Sequence, residues 1–182
     1  YAAGGVPEHI SYSTSSSPEG PWRYRGFLMP YQNMGAFTNH GGTIHYKGKD
    51  YMFYHTGWHP NGGGNYSRAT CINEITYNSD GTINQLWATR NGVGPIATLS
   101  PYLQQQGETM NNCNNIKVVG NESTGVYVNN IKNGSWIKLR NVDFASGAKR
   151  FQTRVRTNNN ANTITIRIDG ENGTAIGQLG IN

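Results

Sequence analysis

The chain has 182 residues, 35% of them hydrophobic and 14% charged, which is enough for one good core or two small ones. The low charge fraction excludes a charge-dominated disordered chain, and a net charge of +5 spread thinly along the sequence argues against a surface that tracks nucleic acid. The polar remainder is rich in Asn, Ser, Thr and Gly, with 24 Gly, 11 Tyr and 4 Trp, a mixture suited to short strands, many turns and aromatic faces.

Taken in chain order, the elements predict an all-β protein. The opening YAAGG reads as the tail of a strand entering a loop. With no initiator Met and no signal peptide before Tyr1, a fragment of a longer protein is expected. His9 to Thr14 reads as a strand that ends at the turn Ser17-Pro18-Glu19-Gly20-Pro21. Thr43 to Tyr46 and Asp50 to His55 flank Lys47-Gly48-Lys49, a hairpin with Gly at the turn. Thr70 to Tyr77 and Thr82 to Thr89 flank Asn78-Ser79-Asp80-Gly81, and Asp-Gly is a strong hairpin signal because Gly accepts a positive φ. Paired hairpins of this kind suit a propeller blade or a sandwich.

The pattern changes near Gly92-Val93-Gly94-Pro95, and a domain boundary is placed near residue 98, giving domains 1–97 and 98–182. Beyond it, Trp136 to Arg140, Phe151 to Arg156 and Thr163 to Asp169 alternate as strands of a β-sandwich. In the last of these, Ile164, Ile166 and Ile168 are expected to face inward. The densest basic stretch, Lys149, Arg150, Arg154 and Arg156, is read as the solvated face of the second strand, opposite Phe151, Thr153 and Val155. Cys71 and Cys113 fall in different domains and form no metal motif, so two buried free thiols are expected. No apolar run approaches the roughly 20 residues of a membrane span.

Three stretches of the first half together resemble glycoside hydrolase family 43. They are Ile10 to Trp22 (ISYSTSSSPEGPW), Thr38 to Ile44 (TNHGGTI) followed by Lys47 to His55 (KGKDYMFYH), and Arg68 followed by Ile72 to Ile83 (INEITYNSDGTI). The resemblance implies the C-terminal part of a five-bladed β-propeller that hydrolyses arabinose or xylose linkages with inversion. Inversion requires two carboxyl groups roughly 6.5–9.5 Å apart, with a water between base and anomeric carbon. By the resemblance, those acids and a third that tunes them lie before Tyr1, so the chain alone is expected to be catalytically silent. Glu19 belongs to a surface turn and is not read as the general acid. Glu8 is a candidate for the pocket rim.

The same resemblance places His40 near the propeller axis, in contact with a calcium ion otherwise surrounded by water. Calcium prefers oxygen ligands, so one imidazole serves only in an anionic pocket. Gly41 and Gly42 are expected to allow close backbone approach there. Arg68 is expected to face the substrate sugar, where a guanidinium offers fixed donors. His55, and Trp58 at the start of a Gly-rich loop, are read as rim residues or as packing.

The second half resembles carbohydrate-binding module family 6. The residues that carry this are Pro101-Tyr102, Gly107 to Met110, Val128 to Ile137, Val142 to Lys149 and Ile164 to Asp169. The resemblance implies an incomplete β-sandwich of jelly-roll type, with Glu108 and Asp169 as ligands of a structural calcium. One charge of that set is lost where Gln106-Gly107-Glu108 stands. Tyr127 is the candidate sugar-stacking aromatic, and Trp136 is assigned to packing. The whole implies a secreted, cell-surface or periplasmic enzyme that removes arabinofuranosyl or xylosyl units from hemicellulose such as arabinoxylan or xylan. Its alternative is a non-catalytic adhesion protein with a degenerate propeller. Propeller blades without their neighbours leave strand edges uncovered, and aggregation is expected of the isolated chain.

Overall fold

A computed structural model of the chain describes residues 1–5, 7–58 and 68–181. The fold is all-β, with strands and, among the described residues, a single 3-10 turn, and it separates into two compact units, Tyr1–Ile96 and Ala97–Asn182.

The first unit holds two three-stranded antiparallel sheets. β1 (Ala2–Ala3), β2 (His9–Thr14) and β3 (Arg23–Met29) form one, in that order; β4 (Gly42–Tyr46), β5 (Lys49–Thr56) and β6 (Ala69–Ile75) form the other. Each is a meander, the arrangement expected of propeller blades. Tyr46 pairs with Lys49, leaving Lys47 and Gly48 as a two-residue turn, and both have positive φ (49° and 77°). That is the backbone of the tight turn that follows the right-handed twist of the strands.

β5 is the middle strand of its sheet, and its run of aromatic and long side chains is consistent with burial on both faces. Tyr51, Met52, Tyr54, His55 and Thr56 are all buried, whereas the edge strand β4 is exposed throughout. The core forms from Ile10, Leu28 and Met29 of the first sheet, Met52, Tyr54 and Ile75 of the second, and Met34 and Leu86 of the connections. It fixes the ends of β2 and β5, from which the candidate site is built.

The predicted Asp-Gly turn forms, with Asn78 N–H donating to Thr82 O at 2.7 Å and Thr82 N–H to the Asp80 carboxylate at 2.9 Å. The strand expected over Thr82–Thr89 does not follow it. Only Tyr77 and Ile83 bridge, after which the chain leaves β6 for the first sheet. There Leu86 N–H donates to Leu28 O at 2.8 Å, and the Gln32 side chain holds Leu86 O and Ala88 N–H. Burying Leu86 and meeting these hydrogen bonds outweighs extension of the hairpin.

The second unit holds three antiparallel strand pairs. β7 (Asn112–Asn114) pairs with β10 (Trp136–Lys138), β8 (Lys117–Asn121) with β9 (Gly125–Asn129), and β11 (Asn162–Arg167) with β12 (Ala175–Ile181). The 3-10 turn, Gly107–Thr109, lies beside β9. Ile116, 4% exposed, is the one buried hydrophobic residue among those described in this unit.

Three expectations are corrected here. Phe151–Arg156 forms no strand, and Phe151 and Val155 are exposed alongside the arginines. Alternation makes a strand only where another strand takes its backbone hydrogen bonds, and this segment pairs with none among the described residues. In β11, Ile164 and Ile166 are half-buried, but Ile168 lies beyond the strand and is exposed. Cys71 and Cys113 are free thiols, half-buried rather than buried. No helix among the described residues is long and apolar enough to cross a membrane.

Candidate functional site

The end of β5, the segment Thr38–His40 and the residue before β2 converge in the first unit. Glu8, immediately before β2, is anchored by its N–H to Phe37 O at 2.8 Å. Its carboxylate accepts the Asn39 backbone N–H at 2.8 Å and stands 3.7 Å from His40 Nε2. Asn39 is buried, and its amide nitrogen lies 3.2 Å from Met29 Sδ. Its Oδ1 is buried without a hydrogen-bond partner. The segment is therefore pinned at Asn39 while the neighbouring His40 side chain, 58% exposed, faces outward.

His55 is 8% exposed and lies behind His40. The two rings stack at 5.7 Å between centroids with an interplanar angle of 19°. His55 Nε2 and Thr38 Oγ1 share a hydrogen bond at 3.1 Å. Burial pushes the His55 imidazole below its ordinary pKa, and the positive charge of Arg68 adds to that, against the opposing effects of Thr38 and Glu8. The imidazole behind His40 is accordingly neutral near pH 7.

Arg68 is exposed and immediately precedes β6, whose first residue, Ala69, pairs with Thr56 at the end of β5. The fold thus gathers His40, His55, Arg68 and Glu8 at one end of these sheets. Trp58 is half-buried, with the Arg90 guanidinium 4.5 Å over its indole ring. The Gly-rich loop that follows it, residues 59–67, lies outside the described residues. Gly41 is a point of close approach, since a Cβ there would press on the Met52 side chain and lie 3.2 Å from Ile10 Cδ1. Gly42 has open space around it, so the expectation of close approach holds for one glycine of the pair.

Glu19 is exposed in its turn, where its N–H donates to Ser17 Oγ at 3.2 Å. Thr38, Asn39 and Arg90 are site residues that the sequence motifs do not single out. For Thr38 and Asn39 the signal lies in the TNHGG string itself, beside the histidine and glycines that carry the expectation. Arg90 had none, because its contact with Trp58 spans 32 positions, the difference between their numbers.

Among the described residues, no group of three or more His, Cys, Asp or Glu side chains is placed to hold a metal ion. The carboxylate oxygen of Glu8 and the nitrogen of His40 are too few for a calcium shell of six to eight ligands. An ion beside His40 would take most of its ligands from water or from groups outside these residues. In the second unit, half-buried Glu108 sits in the 3-10 turn and exposed Asp169 follows β11 with φ of 65°. They are not part of any such cluster. Tyr127, on β9 opposite Val119, is 45% exposed. Half-buried Trp136 pairs with Asn114.

Comparison with known proteins relates each half of the chain to carbohydrate-active proteins. Residues 106–182 match the carbohydrate binding module (family 6). An arabinoxylan arabinofuranohydrolase of Bacillus subtilis (strain 168) is 35% identical over 96% of the chain and 36% of that protein. One from Paenibacillus polymyxa is 31% identical over 93% of the chain and 28% of its own length. Among solved structures, a glycoside hydrolase family 43 arabinoxylan arabinofuranohydrolase from Bacillus subtilis, in complex with cellotetraose, superposes with a TM-score of 0.69 at 30% identity. That match covers 95% of this chain and 38% of the other. The chain thus spans roughly a third of the length of these relatives.

Proposed function

From the premise that the chain's homologues are family 43 glycoside hydrolases and that its second half matches a family 6 carbohydrate binding module, we propose that the protein carrying it removes arabinofuranosyl units from hemicellulose. Arabinoxylan is the proposed substrate, and hydrolysis proceeds with inversion. Both near-full-coverage relatives are arabinoxylan arabinofuranohydrolases, which favours arabinofuranosyl over xylosyl release. The observation in the fold that carries the reading is the exposed His40 imidazole, backed by the neutral His55 ring and flanked by the Glu8 carboxylate and the Arg68 charge.

In this reading a carboxylate base activates water and a carboxylic acid protonates the leaving oxygen, both contributed by parts of the protein outside this chain. The residues of this chain shape the pocket. Arg68 donates hydrogen bonds to sugar hydroxyls, and His55 keeps the His40 ring in plane. His40, with the Glu8 carboxylate beside it, would offer two ligand atoms to a calcium ion, which would add positive charge to the pocket. For the binding module Tyr127 is proposed as the stacking aromatic, and Glu108 and Asp169 would serve a second ion only with further ligands from outside the described residues. The module keeps the enzyme on insoluble polymer by raising its effective concentration. Because the proposed substrate is a polymer of the plant cell wall, a secreted, cell-surface or periplasmic location is part of the proposal.

The test is hydrolysis of aryl arabinofuranoside and aryl xyloside by the full-length protein, with and without His40→Ala. Arabinose release that drops sharply in the variant is the expected result. A well-folded protein that cleaves neither glycoside, nor arabinoxylan, overturns the enzyme reading in favour of adhesion. Activity indifferent to His40→Ala removes His40 from the site.

A further inference from the structure

At the far end of β2 from Glu8, the turn into β3 forms a second surface feature that the glycosidase reading does not use. Ser15, Ser16, Ser17, Pro18 and Trp22 line an open hollow of about 350 Å³, at the lower end of the roughly 300–1,000 Å³ typical of small-molecule sites. Trp22 is 60% exposed, although large aromatic side chains are normally among the more buried.

The turn holds its own shape. Ser17 N–H donates to Ser15 Oγ at 3.2 Å, Glu19 N–H to Ser17 Oγ at 3.2 Å, and Gly20 N–H to Ser17 O at 3.0 Å. Ser15 and Ser17 each accept one backbone hydrogen bond, so each hydroxyl keeps its own proton to donate. Gly20 has φ of 92°, and a Cβ there would lie 3.1 Å from Trp22 Cδ1. The edge of the indole therefore rests against the Gly20 backbone, leaving much of the ring open to solvent.

We infer that this hollow is a second polysaccharide-binding site, in which the Trp22 indole stacks on the apolar face of a pyranose and the serine hydroxyls bond its hydroxyl groups. None of the five lining side chains is ionisable, and the one charge in the turn is the exposed Glu19 carboxylate, so the lining matches a neutral glycan and disfavours a phosphate. The six residues of β2 separate Ser15 from Glu8, a span of roughly 20 Å at the rise of an extended strand. A polymer, rather than a single sugar, is the ligand that reaches both ends. The inference rests on the hemicellulose reading only for the choice of polymer.

The experiment is native gel electrophoresis of the full-length protein through gels containing soluble arabinoxylan, comparing wild type, Trp22→Ala and Trp22→Phe. Hydrolysis of a small aryl arabinofuranoside is measured alongside. Trp22→Ala is expected to weaken retardation roughly two- to tenfold, the effect of losing one aromatic stacking contact. Trp22→Phe keeps most of the retardation, and aryl glycoside hydrolysis is the same in all three. Wild-type retardation by Trp22→Ala with an unchanged thermal midpoint overturns the inference, and it does so even if the enzyme is fully active. Loss of retardation in Trp22→Ala, with no hydrolysis by any form, supports the platform while refuting the glycosidase.

Discussion

Glu8 and His40 face each other at 3.7 Å, and the same carboxylate oxygen holds the backbone of Asn39 at 2.8 Å. One side chain thus ties the entry of β2 to the segment that presents His40. Glu8→Ala leaves the Asn39 N–H without its acceptor and is expected to destabilise the fold by about 1–3 kcal/mol, the cost of a partly buried donor left unsatisfied. Glu8→Gln retains an acceptor oxygen and keeps most of the stability. Urea unfolding of the two variants checks this, and equal midpoints for Ala and wild type would show that the contact contributes nothing.

His55 gives the fold a pH dependence whose sign follows from burial. Its imidazole titrates below the ordinary 6.5 when folded, so the unfolded chain binds a proton more readily than the native one. The stability from keeping His55 neutral is complete above about pH 6.5 and is lost as pH falls towards the lower folded-state value. Unfolding midpoints measured from pH 8 to 5 are expected to fall more steeply for wild type than for His55→Gln. Parallel curves would show that another group governs the acid side.

Gly41→Ala puts a methyl group against Met52 and Ile10. Overpacking at a well-filled position costs about 1–3 kcal/mol. Gly42→Ala, with open space around it, is expected to change packing little. A thermal melt of both variants separates the two, and a Gly41→Ala melt matching wild type would mean that Met52 swings aside freely.

If calcium sits beside His40 as proposed, adding it stabilises the folded protein by RT ln(1 + [L]/Kd), about 2.7 kcal/mol at a hundredfold excess over Kd. EDTA is expected to lower the thermal midpoint of the full-length protein, calcium to restore it, and His40→Ala to reduce the response. A midpoint indifferent to both reagents removes the ion from the account.

The strands that were legible in the sequence carry their information locally. β2 is found over the residues read from His9 to Thr14, and β5 extends the predicted strand by one residue at each end, to Lys49 and Thr56. The Lys47-Gly48 turn shows in its glycine. β3 is not legible in the sequence, because it follows a turn dense in Pro and Gly and its Arg-Tyr-Arg-Gly start does not alternate cleanly. Thr82–Thr89 and Phe151–Arg156 show the converse: their local pattern suits a strand, but pairing depends on distant chain that the pattern does not encode. In the site, the TNHGG string pointed to His40. The stack on His55 and the grip of Glu8 span 15 and 32 positions, the differences in residue number, and no short motif records them.

Burial is distributed very unevenly between the two units. The first has a continuous core from Ile10 to Leu86, whereas Ile116 is the sole buried hydrophobic residue described in the second. The heat-capacity increment of unfolding scales with the apolar surface that becomes hydrated. In a calorimeter, then, the first 96 residues should account for most of the heat-capacity step on melting. The second unit should loosen over a broad range with almost no endotherm of its own, and its backbone amides should exchange with deuterium well before those of β5.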